Sequence, residues 1–484
     1  MMLAKRGSSC KAPARVEKSG ATSYTADSPL PTSGPDTRKE RIDRMDLTSA
    51  EAGPTTGAAV RAPAAGALRG PLLRASVLAL AALALFLAGR ALAPHTIDFG
   101  VYHQAARSLL AGRTDLYSTS FALEPPMRYV YPPLFVVLVA PLGLLEFGDA
   151  FGIWFTVLVL ATFGSLRYAI AAWWPRQGWG RGGWMLALSA LFIAGPALVY
   201  GLRSANVHLL LVLMLLVATV AWGRGHTGRA AALIAAAGAI KIFPLFLVPV
   251  LLMLKEWRMV ARIAVLSAAF WMLPLFWFGP AGAVSLYHEW RSDVAGNVER
   301  LRRESRLDVS LESAAERWLS EVDYSRRIDS RYPQANLARL GTSSARAVGK
   351  VLVFAVALAS LLVVLRLGRS MADPMSRAAA AGGIFATAQL LIGPYTTLLY
   401  LSAWILPVLG LPGAAGVQLS ARPRLRVAFE LLGAINLALV FVPGSASHRM
   451  LEAWGAHTLM SAALWALAMW IAWRFPRRRA LPAT

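Results

Sequence analysis

Cysteine is almost absent: Cys10 is the only one in 484 residues. An internal disulfide is thereby excluded, and so is a zinc site built on thiolates. Histidine is scarce too. The seven histidines show no H-E-x-x-H or other recognisable ligand spacing, and no carboxylate cluster implies a divalent metal. No cofactor is expected. Acids are few, with 26 Asp and Glu against 49 Lys and Arg, a formal net charge of +23. In a soluble protein that imbalance would suggest nucleic acid. No RNA- or DNA-binding signature accompanies it, so nucleic acid is not an expected partner. A nucleotide-binding glycine loop is missing, as is a convincing internal repeat of the kind carriers show.

What the chain has is apolar length. It is 56% hydrophobic and only 15% charged, too apolar for a soluble protein. An all-α, polytopic membrane protein is expected. Spans are read near 72–94, 132–146, 149–173, 184–201, 205–222 and 229–254. Others follow near 262–279, 346–367, 377–394, 397–413, 426–443 and 458–474, about twelve in all. The excess arginine then orients helices and meets anionic membrane lipids. Residues 1–70 are rich in Ser, Thr, Pro, Ala, Lys and Arg and read as a disordered basic tail, with Met45 an alternative start. Residues 71–484 form the membrane domain.

Counting crossings from a cytoplasmic tail puts the basic runs Lys255-Glu256-Trp257-Arg258, Arg366–Arg377, Arg422-Pro423-Arg424 and Arg474–Arg479 inside. The same count puts Arg176, Arg181, Arg224 and Arg229 outside, against the rule, unless a broken helix near Lys241 and Pro244 changes it. The first loop, 95–132, and the large polar insertion, 280–345, fall together on the external face. The arginines of the insertion are either a solvated helix face or part of a lid holding a lipid or sugar phosphate.

The loop 95–132 is the most informative stretch. Val101, Ala105, Leu109 and Leu110 recur at helical spacing, and Gly112 is a natural stop. The pattern predicts a short helix on the membrane surface, with tyrosines at headgroup level. Asp98 precedes it, where hydrocarbon gives way to water. It is either the N-cap of this helix or a partly desolvated carboxylate able to take a proton from a sugar hydroxyl.

The run Asp98-Phe99-x-x-Tyr102, with Leu110-Ala111-Gly112, Asp115-Leu116-Tyr117, Tyr129-Val130-Tyr131-Pro132-Pro133 and Pro141-Leu142, resembles glycosyltransferase family 87 of the GT-C superfamily. Characterised members are mannosyltransferases that use polyprenyl-phosphate mannose. The resemblance extends over about Leu72 to Leu411. It implies an inverting enzyme in the cell membrane, its active site on the external face. The donor would be a polyprenyl-phosphate sugar, with mannose expected, and the acceptor an envelope lipid or glycan. Asp98 matches the position of the family's proposed catalytic base.

Further candidates follow from the same comparison. Asn206 resembles the asparagine of a glycine-glutamine-valine-asparagine element. Ala239-Ile240-Lys241-Ile242-Phe243-Pro244 matches a lysine, aromatic and proline before an apolar run. A lysine there either meets an anion or partner or snorkels to the interface. Arg128, Lys241 and Arg317 are the cations expected to stabilise the leaving phosphate. Tyr102, Tyr131, Ser310 and Tyr395 complete the expected substrate-binding set. Two departures stand out. Asp308-Val309-Ser310-Leu311 replaces an asparagine-glutamine-serine-leucine motif, and Gly393-Pro394-Tyr395-Thr396-Thr397-Leu398-Leu399-Tyr400 replaces a stretch that carries two histidines. A transporter of lipid or sugar and a catalytically inactive relative are the competing classes.

Overall fold

Apolar runs in a medium without water leave the backbone to satisfy itself, and the helix does so locally. The computed structural model describes residues 69–93, 98–118, 120–121, 127–174, 181–304, 308–321, 333–371, 373–393, 396–414, 423–441 and 445–474. Its helices begin with α1 (Arg69–Leu92), α2 (Asp98–Leu110), α3 (Pro133–Val139), α4 (Phe147–Trp173), α5 (Arg181–Ser204) and α6 (Val207–Gly223). Next come α7 (Thr227–Ile240), α8 (Val248–Met253), α9 (Trp257–Met272), α10 (Pro274–Glu304) and α11 (Leu311–Leu319). The last are α12 (Thr342–Ser370), α13 (Pro374–Ile392), α14 (Ile405–Ala414), α15 (Pro423–Phe441), α16 (Ser445–Ala453) and α17 (Ala456–Arg474). A two-residue β ladder, Ser120–Phe121 with Met127–Arg128, is the one sheet among the described residues. The expected tail, 1–70, lies almost wholly outside them.

Among the described residues four helices, α4, α12, α13 and α17, are long and apolar enough to cross a membrane. The pair α9 and α10, bent by 78°, makes a fifth candidate. About twelve spans were expected; seven further apolar stretches among the described residues are helices of 10–17 residues. Two of the expected spans fold back instead of crossing.

The first is 132–146. The end of α1 meets the start of α4 through Arg90 and Asp149, 3.0 Å apart. Gly152 packs on Phe86, and Gly89 on Phe155, so α1 and α4 run antiparallel with no net crossing between them. Both ends of the intervening segment are fastened to α2. The Tyr102 and Tyr131 hydroxyls lie 2.9 Å apart, and His103 Nε2 lies 3.0 Å from the Leu145 carbonyl. The helix inside it, α3, has seven residues. At 1.5 Å per residue that is about 10 Å, a third of a bilayer core.

The second is 229–254, which divides at Lys241. After α7 the chain turns into a 3-10 segment, Phe243–Leu247, and then α8. A Cβ on Gly238 would come within 2.5 Å of Leu245, so the second half lies back against the first. Arg262 Nη1 donates to Thr227 Oγ1 at 2.6 Å, which brings the starts of α7 and α9 to the same end. The two fold-backs offset each other in the overall parity but turn over everything between them. Arg224 and Arg229, expected beside the Asp98 loop, therefore lie at the opposite end. Here Gly223 packs on Met375 and Arg377 pairs with Glu256 at 3.4 Å. Arg224, Arg229 and Arg377 thus lie at one end, an arrangement that fits the positive-inside rule. Arg176 lies outside the described residues.

At the other end the polar segments converge. Arg128 reaches Asp293 at 3.4 Å, and Trp290 Nε1 donates to the Val130 carbonyl at 3.2 Å. Trp318 Nε1 donates to the Trp454 carbonyl at 3.2 Å. Arg128 and Val130 of the first loop therefore meet Asp293 and Trp290 of the insertion.

Helix α2 forms where the periodicity places it, and Gly112 follows it at φ 74°, a conformation that glycine adopts without strain. Its apolar face is covered by protein rather than by lipid. Phe99, Tyr102, Ala105, Ala106 and Leu109 are buried against α3, α4 and the turn Ala140–Leu144. The tyrosines expected at headgroup level, Tyr102, Tyr117, Tyr129 and Tyr131, are all buried in the protein core.

The α1–α4 contact gives a direct test. Gly152→Leu should lower stability by about 1–3 kcal/mol, because an added side chain has no space against Phe86. Gly164→Leu, on the same helix with nothing within 4 Å, should not. Thermal unfolding midpoints in one detergent compare the two.

Candidate functional site

Asp98 is the first residue of α2 and is half-buried. Phe99 anchors that turn of helix among Phe147, Phe151 and Trp154, with ring centroids 5.7, 5.3 and 6.1 Å away. One turn on, the Tyr102 hydroxyl touches that of Tyr131 and accepts from the Val207 amide at 3.2 Å. A packed aromatic wedge therefore fixes the direction in which Asp98 faces.

Asn206 lies beside Asp98. It caps α6, its Oδ1 accepting from the His208 amide at 2.8 Å. The same side chain stands beside Asp98 and Tyr131, close enough to act on both. The turn that delivers it is unusual. Ala205 has φ 51°, a left-handed conformation that disfavours a residue with a Cβ. Trp154 Nε1 holds the Ala205 carbonyl at 2.8 Å. Strain of this kind persists where surrounding contacts over-determine the backbone.

Lys241 supplies the cation. It ends α7 in extended conformation, φ −155° and ψ 133°, which frees its side chain from the helix. Its Nζ donates to the Tyr400 hydroxyl. It also lies 4.3 Å from the centre of the Tyr400 ring and 5.6 Å from that of Tyr131. Asp98 lies within its electrostatic reach. His208, fully buried, stands edge-on to Tyr400 with centroids 4.1 Å apart and lies against Phe243 at 4.8 Å. Burial pushes the Asp98 carboxyl above its ordinary range, while the Asn206 hydrogen bond and the Lys241 charge oppose the rise.

The insertion reaches the same place by a different route. The Asp308 carboxylate accepts from the Ser310 amide at 2.9 Å and from the Thr396 amide at 3.0 Å. Val309 donates its amide to the Thr396 carbonyl at 2.7 Å. Arg317 is buried; it donates to the Asp308 carbonyl at 2.7 Å and to Ser313 Oγ at 3.0 Å. Ser310 caps α11. These residues clamp the strand of chain that leads into Tyr400. Burial raises the Asp308 carboxyl too, against its two backbone hydrogen bonds and the Arg317 charge.

The expected set is therefore divided. Asp98, Tyr102, Tyr131 and Lys241 come together. Ser310 and Arg317 are engaged within the protein, one step behind Tyr400. Arg128 is exposed at the rim on Asp293. Tyr395 lies outside the described residues. From the sequence, Asn206 is a family counterpart outside the expected substrate-binding set, and His208 is not singled out, although a histidine in the apolar run opened by Arg203 is a signal. Asp308 reads there as the loss of an asparagine, whereas Asp-x-Ser is a local hydrogen-bonding pattern. Among the described residues no group of three or more His, Cys, Asp or Glu is arranged to hold a metal ion.

The model of glycosyltransferase family 87 matches residues 129–394, more than half of the chain. The chain belongs to glycosyltransferase family 87. It is a membrane glycosyltransferase, and its substrates are a sugar donor and an acceptor. No curated protein and no solved structure matches it. The matched region takes in Tyr131, Asn206, His208, Lys241 and the Asp308–Arg317 element. Asp98 precedes it and Tyr400 follows it; both are joined to it by the contacts above.

Asn206 has two functions that substitution separates. Asn206→Ala should lose the helix cap, about 1 kcal/mol of stability, and the hydrogen bond to Asp98. Asn206→Ser restores the cap but reaches no carboxylate, so its unfolding midpoint should recover while sugar transfer stays roughly tenfold or more below wild type. Parallel melting curves and transfer rates read the two effects.

Proposed function

We propose that the protein transfers mannose from polyprenyl-phosphate mannose to an envelope lipid or glycan, with inversion, on the external side of the cell membrane. The observation that carries this reading is the meeting of Asp98 with Lys241 across Asn206, Tyr131 and Tyr400. A base and a cation within one cluster match the two ends of a single displacement. Asp98 takes the proton of the acceptor hydroxyl as its oxygen attacks the anomeric carbon. On the opposite face the bond from that carbon to the phosphate oxygen breaks, and its electron pair leaves with the polyprenyl phosphate. Negative charge grows on that phosphate, where the Lys241 ammonium and the Tyr400 hydroxyl stabilise it. Arg128 is the outer contact for the same phosphate, at the rim where a lipid tail enters sideways. Ser310 and Arg317 act through the segment that carries Tyr400, and Tyr102 holds Tyr131 in place.

The raised carboxyl of Asp98 suits a base, since proton affinity is what the step needs. Asp98→Asn should remain folded and inserted and lose nearly all transfer. In the wild type, transfer should fall as pH falls, because protonation removes the base. The midpoint of that acid limb in kcat/KM should lie above 3.8, the ordinary value for aspartate. Wild-type turnover in Asp98→Asn, measured with labelled donor and extracted envelope lipids, would exclude the assignment.

The sidedness has its own test. Single cysteines at Ser118 and Ser292 should react with an impermeant thiol reagent in intact cells lacking Cys10. A cysteine at Arg224 should react only after permeabilisation. Labelling of Arg224→Cys alongside the other two would overturn the arrangement.

A further inference from the structure

The start of α6 touches both halves of the site. Asn206, its cap, lies beside Asp98, the base half. Two residues on, His208 lies against the leaving-group half. Its ring contacts Tyr400, which binds Lys241, and also Phe243, two residues after Lys241. His208 therefore touches both the 3-10 segment that carries Tyr400 and the one that follows Lys241.

The ring makes these contacts by shape. It is completely buried. The Tyr400 backbone is close enough to act on it, yet neither ring nitrogen completes a hydrogen bond among the described residues. Full burial also keeps it from touching a substrate, whereas Asp98, Lys241 and Tyr400 each keep some exposed surface. What the imidazole can do is fill space next to Tyr400. Its centroid lies 4.1 Å from that of Tyr400, and Lys241 Nζ lies 4.3 Å from the same centroid. The imidazole and the ammonium thus bear on one ring. The imidazole in turn rests on a fixed base. The Val207 amide donates to the Tyr102 hydroxyl at 3.2 Å, and Trp154 holds the Ala205 carbonyl at 2.8 Å. Emptying the space of the imidazole would let the Tyr400 ring turn toward α6 and draw its hydroxyl from Lys241.

We propose that His208 is a positioning residue of the transfer reaction. Its ring, seated on the fixed start of α6, sets the spacing of the Tyr400 hydroxyl and the Lys241 ammonium that receive the leaving phosphate. The inference rests on the transfer reaction proposed above, and adds the residue that ties the leaving-group half to the turn of chain beside the base. His208 neither touches substrate nor moves a proton.

The test separates the spacer from the reaction it serves. His208→Ala and His208→Ser remove the spacer; His208→Leu and His208→Phe refill its space without ring nitrogens. Tyr400→Phe, which deletes the hydroxyl that shields Lys241, sets the scale. Each protein is placed in phosphatidylcholine nanodiscs, and its melting midpoint establishes that it is folded. Acetylation of Lys241 by acetic anhydride is followed by mass spectrometry, with the exposed Lys255 and Lys350 as internal references. Lys241 should react severalfold faster in the truncated proteins, approaching Tyr400→Phe, while Lys255 and Lys350 keep their wild-type rates. At least one folded filler should return Lys241 to the wild-type rate. With labelled lipid donor, the truncated proteins should show a donor KM raised by about tenfold, the loss of one charge-assisted contact, and that filler should not. Loss of folded protein alone would lower the apparent kcat and leave KM unchanged. Wild-type Lys241 reactivity, or a wild-type donor KM, in a folded truncation overturns the proposal. So do fillers that fold and yet all behave like the truncations. Spacer-dependent Lys241 reactivity in a protein that transfers no mannose from the lipid donor would reject the donor assignment and leave the positioning role standing.

Discussion

An ammonium group placed among apolar helices must be met by polar partners, and Lys241 sets that requirement at the centre of this protein. Tyr400 answers it with a hydroxyl and a ring face, Tyr131 with a second ring, and Asp98 with opposite charge. Those three come from separate parts of the chain: the 3-10 segment before α14, the approach to α3, and the head of α2. Each is backed by contacts that have no other evident purpose. The Asp308 carboxylate ties down Thr396 ahead of Tyr400, the Tyr102 hydroxyl meets Tyr131, and the rings around Phe99 orient Asp98. Asn206 stands beside both Asp98 and Tyr131.

The same lysine governs topology. A helix that continued through 229–254 would carry Lys241 deep into hydrocarbon on one face of a straight rod. The chain breaks there instead, and Pro244 in the next turn lacks the amide that a continuing helix would use. The returning half brings α9 back to the end where α7 began. Together with the fold-back of 132–146 beneath α2, this gathers the arginines of 224–229 with those of 255–258 and 377. Charge segregation and site assembly thus have one geometric cause.

The polar insertion is neither wholly a solvated face nor only a cover. Its α11 is held to α12 by the pair Glu316–Arg346, with contacts of 3.1 and 3.2 Å. Its leading edge is tied to Thr396, whose carbonyl accepts from the Val309 amide and whose amide donates to the Asp308 carboxylate. Buried hydrogen bonds of this kind transmit position with little slack, because breaking one leaves an unsatisfied group. Asp308, where the family resemblance would have asparagine, makes this connection with its carboxylate.

Local pattern alone determined a good deal. Periodicity over Val101 to Leu110 and the glycine at 112 define α2, because helix spacing and a left-handed stop are properties of neighbouring residues. Apolar length identified a membrane protein, and the motifs from Asp98 to Pro133 identified a family that the match over 129–394 bears out. Two segments were misread as spans, since hydropathy measures how apolar a stretch is and is silent on which way it returns. The partners of Asp98 were beyond reach for a similar reason. Asn206, Lys241 and Tyr400 stand more than a hundred residues away in the chain. Their meeting depends on a strained turn at Ala205, a helix broken at Lys241 and an insertion anchored on Thr396, which only the packing of the whole bundle brings together.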